Sequence, residues 1–234
     1  MYAIITGASK GMGYATSHVL ADMGYNIIAI ARNANDLEAL KLEIKAIYNG
    51  VNVYPVSADL ANHSQFNNAI EQINKLTQCP EVIINNAGMY NEFSIENDPD
   101  SNLELMLALN LIAPYKLSKA FIGEMKKRQS GHIVNISSIV TKHFRVNAAA
   151  YTVSKKAFQT FSKILTEEMR QYQVKVTTIV PGSTATASWE GTDDEILHEL
   201  IHPEDVANAV RYAIEAANNT LVEEIIIKPL NPKY

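Results

Sequence analysis

The chain is 234 residues long, 47% hydrophobic and 19% charged, which suits one large α/β unit with a substantial core. Its formal charge of −5 comes without a long run of Lys or Arg, which excludes a dedicated nucleic-acid surface. No stretch approaches the roughly 18 uninterrupted apolar residues of a membrane span, and the single cysteine, Cys79, has no internal disulfide partner. The start, MYAIITGASKG, lacks the basic lead and long apolar run of a signal peptide, so a cytoplasmic protein is expected.

In chain order, short apolar runs alternate with amphipathic ones. Strands are predicted at 2–6, 26–31, 51–57, 81–85, 132–137, 174–180 and 223–228, and helices at 12–23, 35–48, 63–77, 102–128, 151–172 and 203–217. Continuous apolar strands are buried on both faces, so the pattern predicts an α/β fold, a doubly wound parallel sheet of about seven strands. No linker or repeat interrupts it, and residues 1–234 read as a single domain. Lys126, Lys127 and Arg128 fall where a helix ends and complement its dipole. The segment TATASWEGTDDEILHELI (184–201) follows a strand and is expected to form a short lid.

The first strand runs into TGASKGMG (6–13) and then a helix. A chain that turns tightly against a pyrophosphate needs residues without Cβ, here Gly7, Gly11 and Gly13, with Ser9, Lys10 and Met12 between them. The following helix offers unpaired N–H groups and its positive dipole end. At the end of the second strand stand Ala31 and Arg32 rather than a carboxylate. An acidic residue there would bind ribose hydroxyls, whereas Arg32 can clasp a 2′-phosphate, which favours NADP(H) over NAD(H). Lys10 can add a second positive charge, and Asp36 is expected to cap the next helix. Asp59, followed by Leu60, can accept from an adenine amino group or serve only as a turn residue. Asn85, Asn86, Ala87 and Gly88 follow the fourth strand, where the asparagines can tie strand ends together and Gly88 lets the chain pass a cofactor.

YTVSK (151–155) and YKLSK (115–119) each place Tyr and Lys one turn apart on a helix face. A carbonyl oxygen receiving a hydride's charge needs a proton donor and a second hydrogen bond. Tyrosine, with an ordinary pKa near 10, must move by about 3 units to work near neutrality. A lysine ammonium about 4 Å away supplies roughly that, about 4 kcal/mol at an effective dielectric near 20. Ser138 precedes Tyr151 by thirteen residues at the end of an apolar strand, whereas Asn102 holds that place before Tyr115. Tyr115 and Lys119 are therefore expected at a helix surface or subunit contact. Pro114 has no N–H for the Asn110 carbonyl, which predicts a bend and a free carbonyl able to hold a water near Lys155.

With TGASKGMG, NNAG, Asn110, Ser138, YTVSK and PGSTAT in this order, the sequence resembles the short-chain dehydrogenase/reductase family, from Tyr2 to about Lys228. The resemblance implies a Rossmann-type fold in which Ser138, Tyr151 and Lys155 are catalytic and Asn110 is a fourth member of the set. It also implies that Tyr151 and Lys155 border the cofactor, with Lys155 on the nicotinamide ribose, and that Pro181, Gly182, Thr184 and Thr186 lie around the nicotinamide. The implied activity is NADPH-dependent reduction of a ketone or aldehyde, reversible as alcohol oxidation, on a small-molecule substrate and without a metal. The helices at 102–128 and 151–172 would pair between subunits, as a homodimer or homotetramer. Thr141, Lys142 and His143 depart from the small residue common after the family's serine and are expected to reshape one pocket wall. His143, Tyr90, Met89 and Trp189 are candidate pocket residues. The ending EEIIIKPLNPKY lacks the glycine pair of 3-oxoacyl-acyl-carrier-protein reductases and is more similar to the 3-hydroxy acid dehydrogenase and small carbonyl reductase branches. Two other readings stand beside this one: a non-catalytic NADP(H)-binding sensor or scaffold, and a nucleotide-sugar epimerase or dehydratase. Only about fifty residues follow Pro181, too few for the substrate domain that the last would need.

Overall fold

Strands apolar on both faces are stable only between two helical layers, and the chain folds accordingly. The computed structural model describes residues 1–186 and 193–231. Its strands are β1 (Tyr2–Thr6), β2 (Asn26–Ala31), β3 (Val53–Ser57), β4 (Val82–Asn85), β5 (Gly131–Ile136), β6 (Val174–Pro181) and β7 (Glu224–Ile227). They form one parallel sheet of order β3-β2-β1-β4-β5-β6-β7.

The helices are α1 (Gly11–Asp22), α2 (Ala34–Ile47), α3 (His63–Asn74), α4 (Asn102–Leu107), α5 (Ala113–Arg128), α6 (Ala149–Arg170), α7 (Asp194–Glu199) and α8 (Pro203–Glu215). Alternate residues of β1 serve opposite layers. Ala3 and Ile5 pack with Leu20, Leu40 and Val206 of α1, α2 and α8. Ile4 packs with Phe66, Phe121 and Leu165 of α3, α5 and α6. Each wholly buried isoleucine contributes about 1.5–3 kcal/mol.

From β1 the chain builds outward to β2 and β3, then returns to place β4 on the other side of β1. The connections leaving β1 and β4 therefore diverge, and a crevice opens at their carboxyl ends.

Two local expectations are corrected. Asn33, not Asp36, caps α2, its Oδ1 accepting from the N–H groups of Asn35 and Asp36; Asp36 lies in the first turn instead. The predicted helix 102–128 is not uniform, because a π turn at 108–112 separates α4 from α5. Pro114 cannot serve the Asn110 carbonyl, and the backbone absorbs the defect by widening, with the Ala113 N–H donating to the Ala108 carbonyl. Of the expected lid at 184–201, residues 187–192 lie outside the described residues; 194–199 form α7, and Thr184 bridges to Ile201.

The run 102–128 is long and apolar enough to cross a membrane. Here Leu117, Phe121 and Met125 bury its inner face on the sheet. Lys126, Lys127 and Arg128 occupy its last turn, as expected.

Candidate active site

The crevice begins at the start of α1. Helices α2 and α3 are capped by Asn33 and Asn62, but α1 starts after Lys10 with no side-chain cap. Its first N–H groups therefore have no N-cap side chain to satisfy them. Gly7 and Gly11 hold φ of 65° and 54°, the left-handed region that glycine enters freely. A Cβ on Gly13 would drive into the Gly7 carbonyl and lie 2.5 Å from Asn86 Nδ2. This uncapped, Cβ-free concavity fits the pyrophosphate of a dinucleotide.

Arg32, at the end of β2, is exposed and has no ion-pair partner among the described residues. The Lys10 ammonium lies 3.7 Å from the Asp36 carboxylate, which partly offsets the charge it would bring. Asp59 performs the turn role, its Oδ1 accepting from the Ala61 N–H at 3.0 Å. The Leu60 side chain is buried in the core beneath α3, leaving its backbone for any ligand contact. Ser9 is half-buried in the glycine loop beside Met12.

The NNAG turn fastens β4 to β1. Thr6 Oγ1 accepts from the N–H groups of Asn86 and Ala87 at 3.0 and 2.9 Å, while Asn86 Nδ2 donates to the Thr6 carbonyl at 2.9 Å. Asn85 Nδ2 reaches Asn135 Oδ1 on β5 at 2.8 Å. The expected strand-tying role of both asparagines is thus present. Gly88 is a close approach: a Cβ there would sit 3.1 Å from Asn110 Oδ1 and 3.5 Å from Lys155 Nζ.

The sheet and α6 converge the reacting groups. Ser138 lies just beyond β5, and Tyr151 lies in the first turn of α6. Both face the same cavity. Burial pushes the Tyr151 phenol above its ordinary value, while the Ser138 hydroxyl and the Arg145 charge act to lower it. Lys155, 5% exposed, donates to the Ile136 carbonyl at 3.0 Å. Burial brings its ammonium down to about 8. A second cation, Arg145, thus acts on Tyr151, one that the sequence reading did not include.

Asn110, at the centre of the π turn, uses its side chain. Oδ1 accepts from the Met89 N–H at 3.0 Å, and Nδ2 donates to the Met89 carbonyl at 3.1 Å and to Ser154 Oγ at 3.0 Å. It pins the loop after β4 to α6, beside Lys155.

A cavity of about 400 Å³ opens over these groups, lined by Ser138, Tyr151 and Met12 among others. Pro181, Gly182, Thr184 and Thr186 form its far wall, and Thr186 Cγ2 would be 3.1 Å from a Cβ on Gly11. Of the candidate pocket residues, Tyr90 lines the cavity, its ring edge-on to Tyr151 at 4.9 Å. Met89 and His143 do not line it, and Trp189 lies outside the described residues. Thr141 is buried with its hydroxyl on the Ser138 carbonyl at 2.7 Å, so it braces the serine rather than forming a wall. Among the lining residues that sequence reasoning did not single out are the charged pair Glu92 and Arg145. They pair at 3.3 Å across 53 residues of chain, and no local pattern announces that meeting.

The family model described as short chain dehydrogenase matches residues 1–196. An uncharacterized oxidoreductase of Staphylococcus aureus is 27% identical over 231 residues, covering 97% of this chain and 96% of its own. A sepiapterin reductase of Chlorobaculum tepidum is 29% identical over 234 residues, covering 97% and 95%. A metagenomic short-chain oxidoreductase solved in complex with NADP superposes with a TM-score of 0.85 at 28% identity, covering 99% and 97%. Fold, motif order and family model agree: the chain belongs to the short-chain dehydrogenase/reductase family of oxidoreductases.

Proposed function

We propose that the protein is an NADPH-dependent reductase of a ketone or aldehyde, reversible as an alcohol dehydrogenase. The observation that carries this reading is the convergence of the Ser138 and Tyr151 hydroxyls in one cavity with Lys155 buried behind them. The cofactor would be held by the α1 N-terminus, the glycine loop, Asn86, Ala87, Gly88, Lys155 and the wall from Pro181 to Thr186. Arg32 would meet a 2′-phosphate, with Asp59 and Leu60 at the adenine end. When bound, NADPH supplies the hydride.

Tyr151 then donates its phenolic proton to the carbonyl oxygen as the C=O bond is reduced to C–OH, and Ser138 donates a second hydrogen bond to that oxygen. Lys155, held near its own midpoint at about 8, can pass a proton toward Tyr151, and Asn110 fixes the loop beside it. Support for the cofactor choice comes from Arg32 and from the NADP complex of the metagenomic relative. The exposed apolar side chains Leu105, Ile112, Val153 and Ile164 support pairing of α4–α6 in a homodimer or homotetramer.

The test is oxidation of NADPH and NADH, followed by absorbance, over a panel of ketones and aldehydes. Tyr151→Phe should keep NADPH binding and lose about 10²–10⁴ in turnover. Retained turnover in that variant overturns the assignment. Binding without consumption of cofactor across the panel would favour the sensor reading instead.

A further inference from the structure

Arg145 is the one Lys or Arg side chain on the described cavity wall. Its Nη1 donates to Tyr90 Oη at 3.0 Å and to Glu92 Oε1 at 3.3 Å. Tyr90 in turn donates a short hydrogen bond to Glu92 and sets its ring edge against Tyr151. The guanidinium is thus tethered at one nitrogen on the wall of the cavity that Ser138 and Tyr151 also line. Its remaining edge, Nε and Nη2, donates to no group among the described residues. That edge is a planar pair of donors with the geometry of a carboxylate.

Resting on the reductase reading, we propose that Arg145 selects the substrate, a small oxo acid whose carboxylate seats side-on against Nε and Nη2 while its carbonyl reaches Ser138 and Tyr151. Glu92 is the counterweight. It holds the guanidinium through Nη1, and its charge opposes that of the bound carboxylate. Tyr90 spaces the two by bonding Glu92 on one side and Arg145 on the other. The cavity of about 400 Å³ suits a short chain, and Met12 and Val140 on its wall suit the apolar carbons between the two oxygens' sites. The chemistry is ordinary carbonyl reduction: hydride adds to the carbonyl carbon, Tyr151 supplies the proton, NADPH is oxidised, and the carboxylate is unchanged.

The experiment compares kcat/KM for matched pairs, 2-oxo and 3-oxo acids against their methyl esters, with acetoacetate and methyl acetoacetate as the first pair. The charge of Arg145 also acts on Tyr151, but that effect is common to acid and ester and cancels in their ratio. Wild type should prefer an acid over its ester. Arg145→Gln should lower the acid-to-ester ratio by roughly 10- to 100-fold, the worth of charge-assisted hydrogen bonds. Arg145→Lys should keep an intermediate ratio, since it retains the charge without the fork. Glu92→Gln should raise the ratio. A wild-type preference for the esters, or a ratio unmoved in Arg145→Gln, overturns this inference and leaves the reductase reading intact. Failure to reduce any member of the carbonyl panel overturns the reductase reading itself.

Discussion

Two Tyr-x-x-x-Lys segments, 115–119 on α5 and 151–155 on α6, sit on helices that pack against the same face of the sheet. Tyr115 is 49% exposed and leans on Phe161 at 5.1 Å, and Lys119 is exposed. Tyr151 instead faces a cavity with Ser138 and Tyr90, and Lys155 is buried on the Ile136 carbonyl. Helical spacing brings Tyr and Lys to one side of a helix in both cases. What differs is what each turn meets: Tyr151 opens α6 into the cavity that Ser138 lines, whereas 115–119 turns Ser118 inward to accept from Asn85 and leaves Tyr115 and Lys119 outward. Burial, not spacing, shifts a proton equilibrium, and burial brings Lys155 down to about 8.

The largest expected contrast is in turnover. Lys155→Met should cost about 10²–10⁴ in kcat on any carbonyl substrate the enzyme accepts, and Lys119→Met should leave kcat within about twofold. Equal effects from the two substitutions would break the comparison and return both pairs to the helix surface.

Stability should move the other way. Lys155 titrates near 8 when folded and near 10.5 when unfolded. Below 8 both states are protonated, and folding bears the full cost of a buried ammonium. Between about 8 and 10.5 the unfolded chain holds the extra proton, so stability rises with pH through that window. The cost at neutral pH is on the order of 3 kcal/mol. Lys155→Met removes it but leaves the Ile136 carbonyl without its donor, about 1–2 kcal/mol. A net gain of about 1–2 kcal/mol is expected, raising Tm by a few degrees at pH 7 and fading toward pH 10. Thermal unfolding of the cofactor-free protein at the two pH values checks the sign, and a variant less stable than wild type at pH 7 would break it.

The same contrast marks how far the sequence could be read. The seven strands, their parallel pairing and the placement of Ser138, Tyr151 and Lys155 followed from apolar runs and motif order, because both are set by local composition. Asn33 and Asp36 carry equivalent capping oxygens three positions apart, and local sequence does not say which of the two the helix starts after; the chain starts it after Asn33. The bend at Asn110–Pro114 was expected, but a missing N–H does not say whether a helix kinks or widens to a π turn; packing of α4 and α5 on the sheet decides that. Arg145 and Glu92 were illegible because their pairing exists only once the loop after β4 meets the loop after β5. Charge on a surface loop looks the same in sequence whether it faces solvent or a cavity.

The smallest expected effect concerns Tyr115 and sharpens what the surface pair is for. Within one chain, Tyr115→Ala gives up a tilted ring contact with Phe161, about 0.5–1.5 kcal/mol. If α4–α6 pair between subunits, the loss grows, because Ile112 and Ile164, 45% and 62% exposed in the single chain, flank the same contact. Mass action separates the cases: an interface residue makes Tm depend on protein concentration, and its removal weakens that dependence. Sedimentation of wild type and Tyr115→Ala at two concentrations, with Tm measured on the same samples, provides the readout. A concentration-independent drop of about 1 kcal/mol assigns Tyr115 to the helix surface alone, and a shift toward monomer assigns it to the subunit contact.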